Sequence, residues 1–150
     1  MTDSSVAEQR RDTMLRASGL VVVKTSTLAD GPQPRDAWRP VVSGHAVPTA
    51  TVAFGSGEDY VSEVDRKWES IAEDRGIFGN DGEFLISVGG GGLGILAWAQ
   101  VRRVGSVSLA RNLDVGPEEP EFVAMSLDRR TVCGVTAEEY DMWIVAVDLS

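Results

Sequence analysis

Carboxylates are the side chains capable of chemistry that this sequence carries in greatest number, and 14 of the 23 fall into three groups. One group recurs at helical spacing within residues 58–75, a second lies at residues 114–121, and a third lies at residues 138–141. The candidate acids of the first two groups are Asp59, Glu63, Glu69, Glu73, Glu118, Glu119 and Glu121. A hydrolytic pair of carboxylates must converge on one cleft in two different environments. Positions in loops and at a helix start favour solvated or capping roles instead.

A glycine run formally matches a phosphate-binding fingerprint. Gly89, Gly91 and Gly94 satisfy G-x-G-x-x-G, but that motif works because a helix follows it and points amides at the phosphates. Here residues 95–98 have the composition of a strand. The run therefore predicts a turn or a bulge rather than a nucleotide site.

The only histidine and the only cysteine offer little for catalysis or metal binding. His45 stands alone in a proline-flanked segment, which excludes a zinc site with two or more histidines. Cys133 lies between Val132 and Val135, so we expect a buried and inert thiol rather than a nucleophile. We expect no catalytic residue, no metal and no cofactor.

Composition limits the classes of partner and of compartment. Acidic residues outnumber basic ones 23 to 14, a formal net charge of −9. This charge disfavours nucleic acid or an anionic membrane as a direct ligand and favours a basic protein partner, although it can also serve solubility alone. One cysteine permits no intramolecular disulfide, and neither a signal peptide nor a run of about 18 apolar residues is present, so we expect a cytoplasmic location.

One stretch predicts a helix on both periodicity and end signals. In residues 58–75, Val61, Val64, Trp68 and Ile71 share one face, as expected of an amphipathic helix packed on a core. The acids of this stretch would then project outward, and Gly76 stands where a left-handed C-terminal cap belongs.

Most of the remaining chain predicts strands and turns. Residues 84–101 predict a central hairpin, residues 121–135 a second hairpin, and residues 49–54 an edge strand. Residues 19–27 predict a strand buried on nearly both faces, residues 28–40 a loop without regular structure, and residues 104–110 a strand. Residues 136–147 predict one helical turn followed by a closing strand, although the pattern leaves open whether residues 136–150 end as helix or strand.

These elements predict an α+β fold, a mainly antiparallel sheet of about five to seven strands with one principal amphipathic helix packed on it. Residues 1–18 form a polar N-terminal tail or short helix, and residues 19–150 form a single α+β domain, as the length of 150 residues favours.

The run FLISVGGGGLGILAW at residues 84–98 resembles the core hairpin of small cytosolic immunity proteins of bacterial polymorphic toxin systems, particularly those that accompany deaminase toxins. An amphipathic helix precedes the hairpin, as in that family, whereas residues 121–150 depart from its pattern. The resemblance implies a non-catalytic protein that occludes the active site of a toxin, which for a nucleic-acid-targeting toxin is a basic cleft.

Three functional classes remain open from the sequence. The first is an acidic, non-catalytic protein that neutralises a basic protein partner. The second is a small enzyme or ligand-binding protein with a pocket between helix and sheet. The third is an accessory subunit, which an exposed apolar patch containing Trp38 or Trp143 would support. The sequence leaves the identity of the partner and the oligomeric state undetermined.

Overall fold

The structure is a computed structural model that describes residues 3–26, 31–54, 59–89, 96–113 and 121–149. The helices are α1 (Asp3–Ala17), α2 (Pro34–Val42), α3 (Tyr60–Asp74) and α4 (Leu109–Leu113). The strands are β1 (Leu20–Ser26), β2 (Ala50–Ala53), β3 (Glu83–Val88), β4 (Trp98–Arg103), β5 (Phe122–Met125), β6 (Thr131–Ala137) and β7 (Asp141–Asp148). They form one sheet in the order β1-β4-β3-β5-β6-β7-β2, with every pair antiparallel. The predicted α+β fold with an antiparallel sheet is confirmed.

Alternating side chains of the strands build two apolar clusters, one on each face of the sheet. The larger cluster is covered by α1, α3 and α4, and the smaller one by α2. Trp68 of α3 is fully buried, meets the ring of Phe122 at 5.1 Å and donates its indole N–H to the carbonyl oxygen of Cys133 at 3.2 Å. The helix predicted at residues 58–75 is therefore the principal helix of the fold, and Gly76 has the expected positive φ of 76°.

Both predicted hairpins are present. β3 pairs with β4 so that Phe84 faces Val101, although β4 begins only at Trp98. Residues 90–95, which carry most of the glycine fingerprint, lie outside the described residues. β5 pairs with β6 through a turn in which Arg129 has a φ of 65°. These two hairpins form the middle of the sheet.

The predicted loop at residues 28–40 is wrong, because α2 begins at Pro34. Proline at the first helical position removes an amide that would have no intrahelical partner anyway. Pro40 lies inside the helix, and the burial of Ala37 and Val41 on the sheet offsets the hydrogen bond lost there. Gly134 of β6 permits this contact, since a Cβ atom at that position would lie 2.9 Å from Val41 Cγ1.

The predicted strand at residues 104–110 is also wrong. Val104 is exposed, and a short bend leads into α4, where Leu109 and Ala110 are buried. The amide of Ser108 donates to the carbonyl oxygen of Ser18 at 2.9 Å. Acceptors from other elements thus replace the neighbouring strand that a β conformation would need.

Two further expectations need correction. β1 is an edge strand with Val21 and Val23 exposed, so it is not buried on both faces. Its β-branched residues reflected strand propensity rather than burial. At the other end of the chain β6 continues to Ala137, and a turn at residues 138–140 leads to β7. The closing strand is confirmed and the helical turn before it is wrong.

The N-terminal helix α1 packs on β1 and α4. Leu15 is fully buried, and the buried guanidinium of Arg11 donates to the carbonyl oxygen of Ala97 at 2.9 Å and to Thr25 Oγ1 at 3.0 Å. Of the helices in the described ranges, none combines the length and the apolar character that crossing a bilayer requires.

Candidate functional site

Helix α3 runs between two surface depressions, and the predicted helical acids line both of them. The first, which we call the α4 cleft, has a volume of about 400 Å³. Its lining residues are Ser62, Asp65, Arg66, Glu69, Ser70, Glu73, Ser106, Val107, Ser108 and Arg111. The second, which we call the β2 groove, has a volume of about 470 Å³. Its lining residues are Thr51, Val52, Ala53, Asp59, Tyr60, Glu63 and Lys67.

Asp65 forms the floor of the α4 cleft and is only 7% exposed. Its two carboxylate oxygens accept the amide of Ala110 at 2.6 Å and the amide of Arg111 at 3.1 Å. These amides belong to the first turn of α4, which has no acceptors of its own for them. Burial raises the pKa of Asp65 to about 6, because desolvation of the charged form outweighs the two hydrogen bonds. Asp65 therefore fixes α4 on α3.

Glu69 continues this arrangement one turn along α3. Its Oε1 accepts the amide of Val107 at 2.8 Å, and its Oε2 lies 3.4 Å from the guanidinium of Arg103. Arg103 also lies 3.7 Å from the Glu73 carboxylate and stacks 3.9 Å from the centre of the Phe78 ring. The oxygens of Asp65 and Glu69 thus bind the chain itself, which leaves this cleft poorly equipped for acid–base chemistry.

The β2 groove is bounded on one side by the last strand of the sheet. Asp59 precedes α3, accepts a hydrogen bond from Ser62 Oγ at 2.7 Å and pairs with Arg111. The bond from Ser62, followed by Arg111, lowers the pKa of Asp59. One turn later Glu63 pairs with Arg66 and lies 3.9 Å from Lys67, and the bond from Arg66 lowers the pKa of Glu63. Both acids are therefore ionised at neutral pH.

The turn between β6 and β7 adds two more acids to the same end of the sheet. Glu138 and Glu139 are exposed, and Tyr140 beside them is 78% exposed. The amide of Phe54 donates to the carbonyl oxygen of Tyr140 at 3.4 Å, and the Phe54 ring meets the Tyr60 ring of α3 at 5.4 Å. The turn is therefore adjacent to the end of β2 and the start of α3. We call the set Asp59, Glu63, Glu138, Glu139 and Tyr140 the acidic β2 surface; all of them are exposed except Glu63, which is half-exposed.

The structure separates the acids predicted from the sequence. Asp59 and Glu63 lie at the β2 groove, whereas Glu69 and Glu73 line the α4 cleft. Glu121 precedes β5 and lines neither depression, and its Oε2 accepts the amide of Ala137 at 2.9 Å. The two remaining predicted acids, Glu118 and Glu119, lie outside the described residues.

The other candidate groups have simple environments. Burial raises the pKa of the Cys133 thiol to about 12, so the thiol stays protonated at neutral pH, as predicted for an inert cysteine. His45 is exposed. Within the described ranges, no three His, Cys, Asp or Glu side chains are grouped so that they could hold a metal ion.

Sequence reasoning missed the residues that organise the α4 cleft. Asp65 follows Val61 by four residues and precedes Trp68 by three, so it falls within the apolar arc of the helix. A charged residue in that arc has to find buried partners, which was an available signal. Arg103 and Arg111 carried no such signal, since they meet Glu69 and Asp59 across 34 and 52 residues of chain.

The chain matches no protein-family model, no curated protein and no solved structure.

Proposed function

We propose that this protein is a non-catalytic acidic binding protein that neutralises a basic protein partner, with toxin immunity in a bacterium as its most specific form. One observation carries the proposal: the exposed Asp59 and the half-exposed Glu63 lie at the start of α3, next to the turn that carries the exposed residues Glu138, Glu139 and Tyr140. Carboxylates at the surface accelerate encounter with a basic surface, and an exposed tyrosine beside them is a common anchor of binding energy.

The ion pairs that Asp59 and Glu63 form within the chain leave both carboxylates able to bind a partner. The cations opposite Asp59 and Glu63 are themselves exposed, with 51% for the Arg111 side chain and 73% for the Arg66 side chain. Exposed ion pairs contribute little to stability. A partner that brings its own arginines or lysines can therefore replace them at small cost.

A toxin that acts on nucleic acid needs a basic cleft for the phosphates of its substrate. A surface with several carboxylates can occupy such a cleft, while an aromatic ring supplies apolar burial. The resemblance of residues 84–98 to immunity proteins points to the same class of partner.

The test is capture of proteins from the source lysate, followed by binding measurements with each purified protein that is retained. The double variant Glu138→Lys and Glu139→Lys changes the acidic β2 surface by four charge units. Glu73→Lys with Asp74→Lys makes the same charge change at the opposite end of α3 and serves as the matched control. We expect the first variant to weaken binding of a basic partner at least about tenfold and the control to weaken it far less.

Neutralisation is then measured directly as inhibition of the partner's enzymatic activity by the wild-type protein and by the two variants. Capture of no basic protein at low or moderate salt would sink the proposal. Equal loss of binding in both double variants would leave charge as the cause and remove the acidic β2 surface as the site.

A second candidate is a ligand-binding protein or small enzyme that uses the α4 cleft. The observation in its favour is the convergence of Asp65, Glu69 and Glu73 on one cleft, with the pKa of Asp65 raised to about 6. The hydrogen bonds that occupy Asp65 and Glu69 count against it. A thermal-shift screen with small cations and amines distinguishes the two candidates, because a ligand that binds the folded state raises the Tm, and the rise grows with the ratio of ligand concentration to Kd.

The accessory-subunit alternative called for an exposed apolar patch that contains Trp38 or Trp143. Trp38 and Trp143 are partly buried against the smaller apolar cluster. Their indole N–H groups donate to Ser87 Oγ at 2.8 Å and to Asp141 Oδ1 at 3.0 Å.

A further inference from the structure

The outer edge of β2 presents main-chain groups away from the sheet. The amide of Phe54 bonds to the Tyr140 carbonyl, and hydrogen-bonded pairs alternate along an antiparallel ladder. The main-chain amide and carbonyl groups of Val52 therefore face β7, and those of Thr51 face outward. The carbonyl oxygen of Thr51 accepts a hydrogen bond from Lys67 Nζ at 3.2 Å, which agrees with this orientation.

The β2 groove lies directly beside this edge, between the strand and α3. On the strand side the groove is lined by small side chains, of which Thr51 and Ala53 are exposed and Val52 is buried. On the helix side the rim carries Asp59 and Glu63. A concave channel with a main-chain acceptor on one wall and carboxylates on the other matches the requirements of an extended cationic segment.

We propose that the outward edge of β2 receives an extended, basic segment of the protein partner as an additional strand of the sheet. This inference rests on the proposed function and specifies how the partner is held. Main-chain hydrogen bonds to Thr51 supply affinity, and arginine or lysine side chains on alternate positions meet Asp59 and Glu63.

Lys67 protects this edge from nonspecific strand pairing, because its ammonium group occupies the Thr51 carbonyl oxygen. Lysine on an exposed edge is a common means of preventing unwanted strand pairing. When a partner amide takes the Thr51 carbonyl, the ammonium group of Lys67 moves toward Glu63, whose carboxylate already lies 3.9 Å away. Displacement of Lys67 from the Thr51 carbonyl oxygen by the partner therefore leaves the Lys67 ammonium group paired with Glu63 rather than buried without a counter-charge.

The opposite edge of the sheet is less suited to this role. β1 has a register irregularity between Val22 and Lys24, which interrupts the regular ladder that an added strand would follow. Its exposed residues also include no carboxylate, since the strand reads LVVVKTS. Charge complementarity to a basic segment thus selects β2.

The experiment uses the full chain and two fluorescein-labelled peptides of about eight residues that alternate arginine and valine. One peptide is unmodified, and the other carries N-methyl groups on alternate amides, so that it keeps the charge but cannot pair with a strand edge. Fluorescence anisotropy at low salt measures binding to the wild-type protein, to Thr51→Pro and to Thr51→Val. Proline removes the outward amide of Thr51 and is tolerated at an edge, and valine retains that amide.

We expect the N-methylated peptide to bind at least about tenfold more weakly than the unmodified one. Thr51→Pro should weaken binding of the unmodified peptide by a similar factor, and Thr51→Val should leave it unchanged. Amide exchange at Thr51 should slow when the unmodified peptide is bound. Circular dichroism verifies that each variant is folded, and the comparison of peptides needs no variant at all.

Equal binding of the two peptides, or no binding of either, would overturn strand addition. Neither result touches the proposed function, which the capture experiment with the Glu138 and Glu139 variant decides separately. Both proposals would fail together only if, in addition, the lysate-capture experiment retained no basic protein.

Discussion

The two flanks of α3 carry the same kind of residue and use it differently. On the flank toward α4, Asp65 and Glu69 accept main-chain amides from residues 107–111. On the flank toward β2, Asp59 and Glu63 face arginine and lysine side chains and water. Both pairs are four residues apart, so spacing alone does not distinguish them. The groups that the fold places opposite each carboxylate determine its role.

Burial is the physical variable that separates the two flanks. Asp65 is 7% exposed and the Asp59 side chain 55% exposed. A buried amide that loses its acceptor suffers the full cost of desolvation, whereas exposed ions exchange one partner for another or for water. The α4 flank is therefore expected to govern stability, and the β2 flank to govern association.

The largest expected difference is in the pH dependence of stability. The pKa of Asp65 is raised from its usual 3.8 to about 6, so between about pH 4 and pH 6 the folded protein binds more protons than the unfolded chain. The contribution of Asp65 to stability is therefore greatest below pH 4 and falls as pH rises through 6. The destabilisation caused by Asp65→Ala should therefore be about 3 kcal/mol larger at pH 3 than at pH 7, as urea unfolding at each pH would measure.

On the flank toward β2, the contribution of the carboxylates to stability changes with pH in the opposite direction. Asp59 and Glu63 have lowered pKa values, so their contribution is present at neutral pH and is lost as pH falls through those lowered values. Asp59→Ala is the matched control for the urea series. A cost of Asp65→Ala that stays constant or grows with pH would contradict the assignment of Asp65 as a buried carboxylate with a raised pKa.

The next effect is the loss of amide acceptors at neutral pH. Asp65→Ala leaves the amides of Ala110 and Arg111 without their partner, and we expect a loss of about 2 kcal/mol in the free energy of unfolding at pH 7. The Tm should fall by about 4 to 8 °C for a chain of this size. Calorimetry of Asp59→Ala should show an unchanged Tm, and equal losses in the two variants would remove the distinction between the flanks.

The sequence predicted those parts of the fold whose patterns are local. The apolar spacing of Val61, Val64 and Trp68 was sufficient for α3, and pairs of short apolar runs joined by turn residues were sufficient for the two hairpins. The helix α2 was missed because its prolines favour a loop locally, whereas the burial of Ala37 and Val41 against the sheet is a tertiary effect.

The candidate site shows the same division. The outward direction of Asp59 and Glu63 followed from helical periodicity. The contact of Glu69 with the Val107 amide joins residues 38 positions apart, and no local pattern predicts it. The acidic β2 surface also depends on Tyr140, which lies in the stretch where the sequence predicts a helical turn and which the structure places in an exposed turn between β6 and β7.

The smallest effect that still separates the flanks concerns Glu69 and Glu63. Glu69→Ala removes the acceptor of the Val107 amide and the partner of Arg103, and we expect a loss of about 1 kcal/mol in the free energy of unfolding. Glu69→Gln should recover most of this loss, because the amide oxygen of glutamine can still accept the Val107 N–H. Glu63→Ala should leave the urea midpoint unchanged, since its ion pairs are exposed. If Glu69→Gln is as destabilising as Glu69→Ala, the ion pair with Arg103, rather than the main-chain hydrogen bond, holds residues 106–108 against α3. The two flanks would then differ in the geometry of their charged groups and not in the burial of main-chain amides.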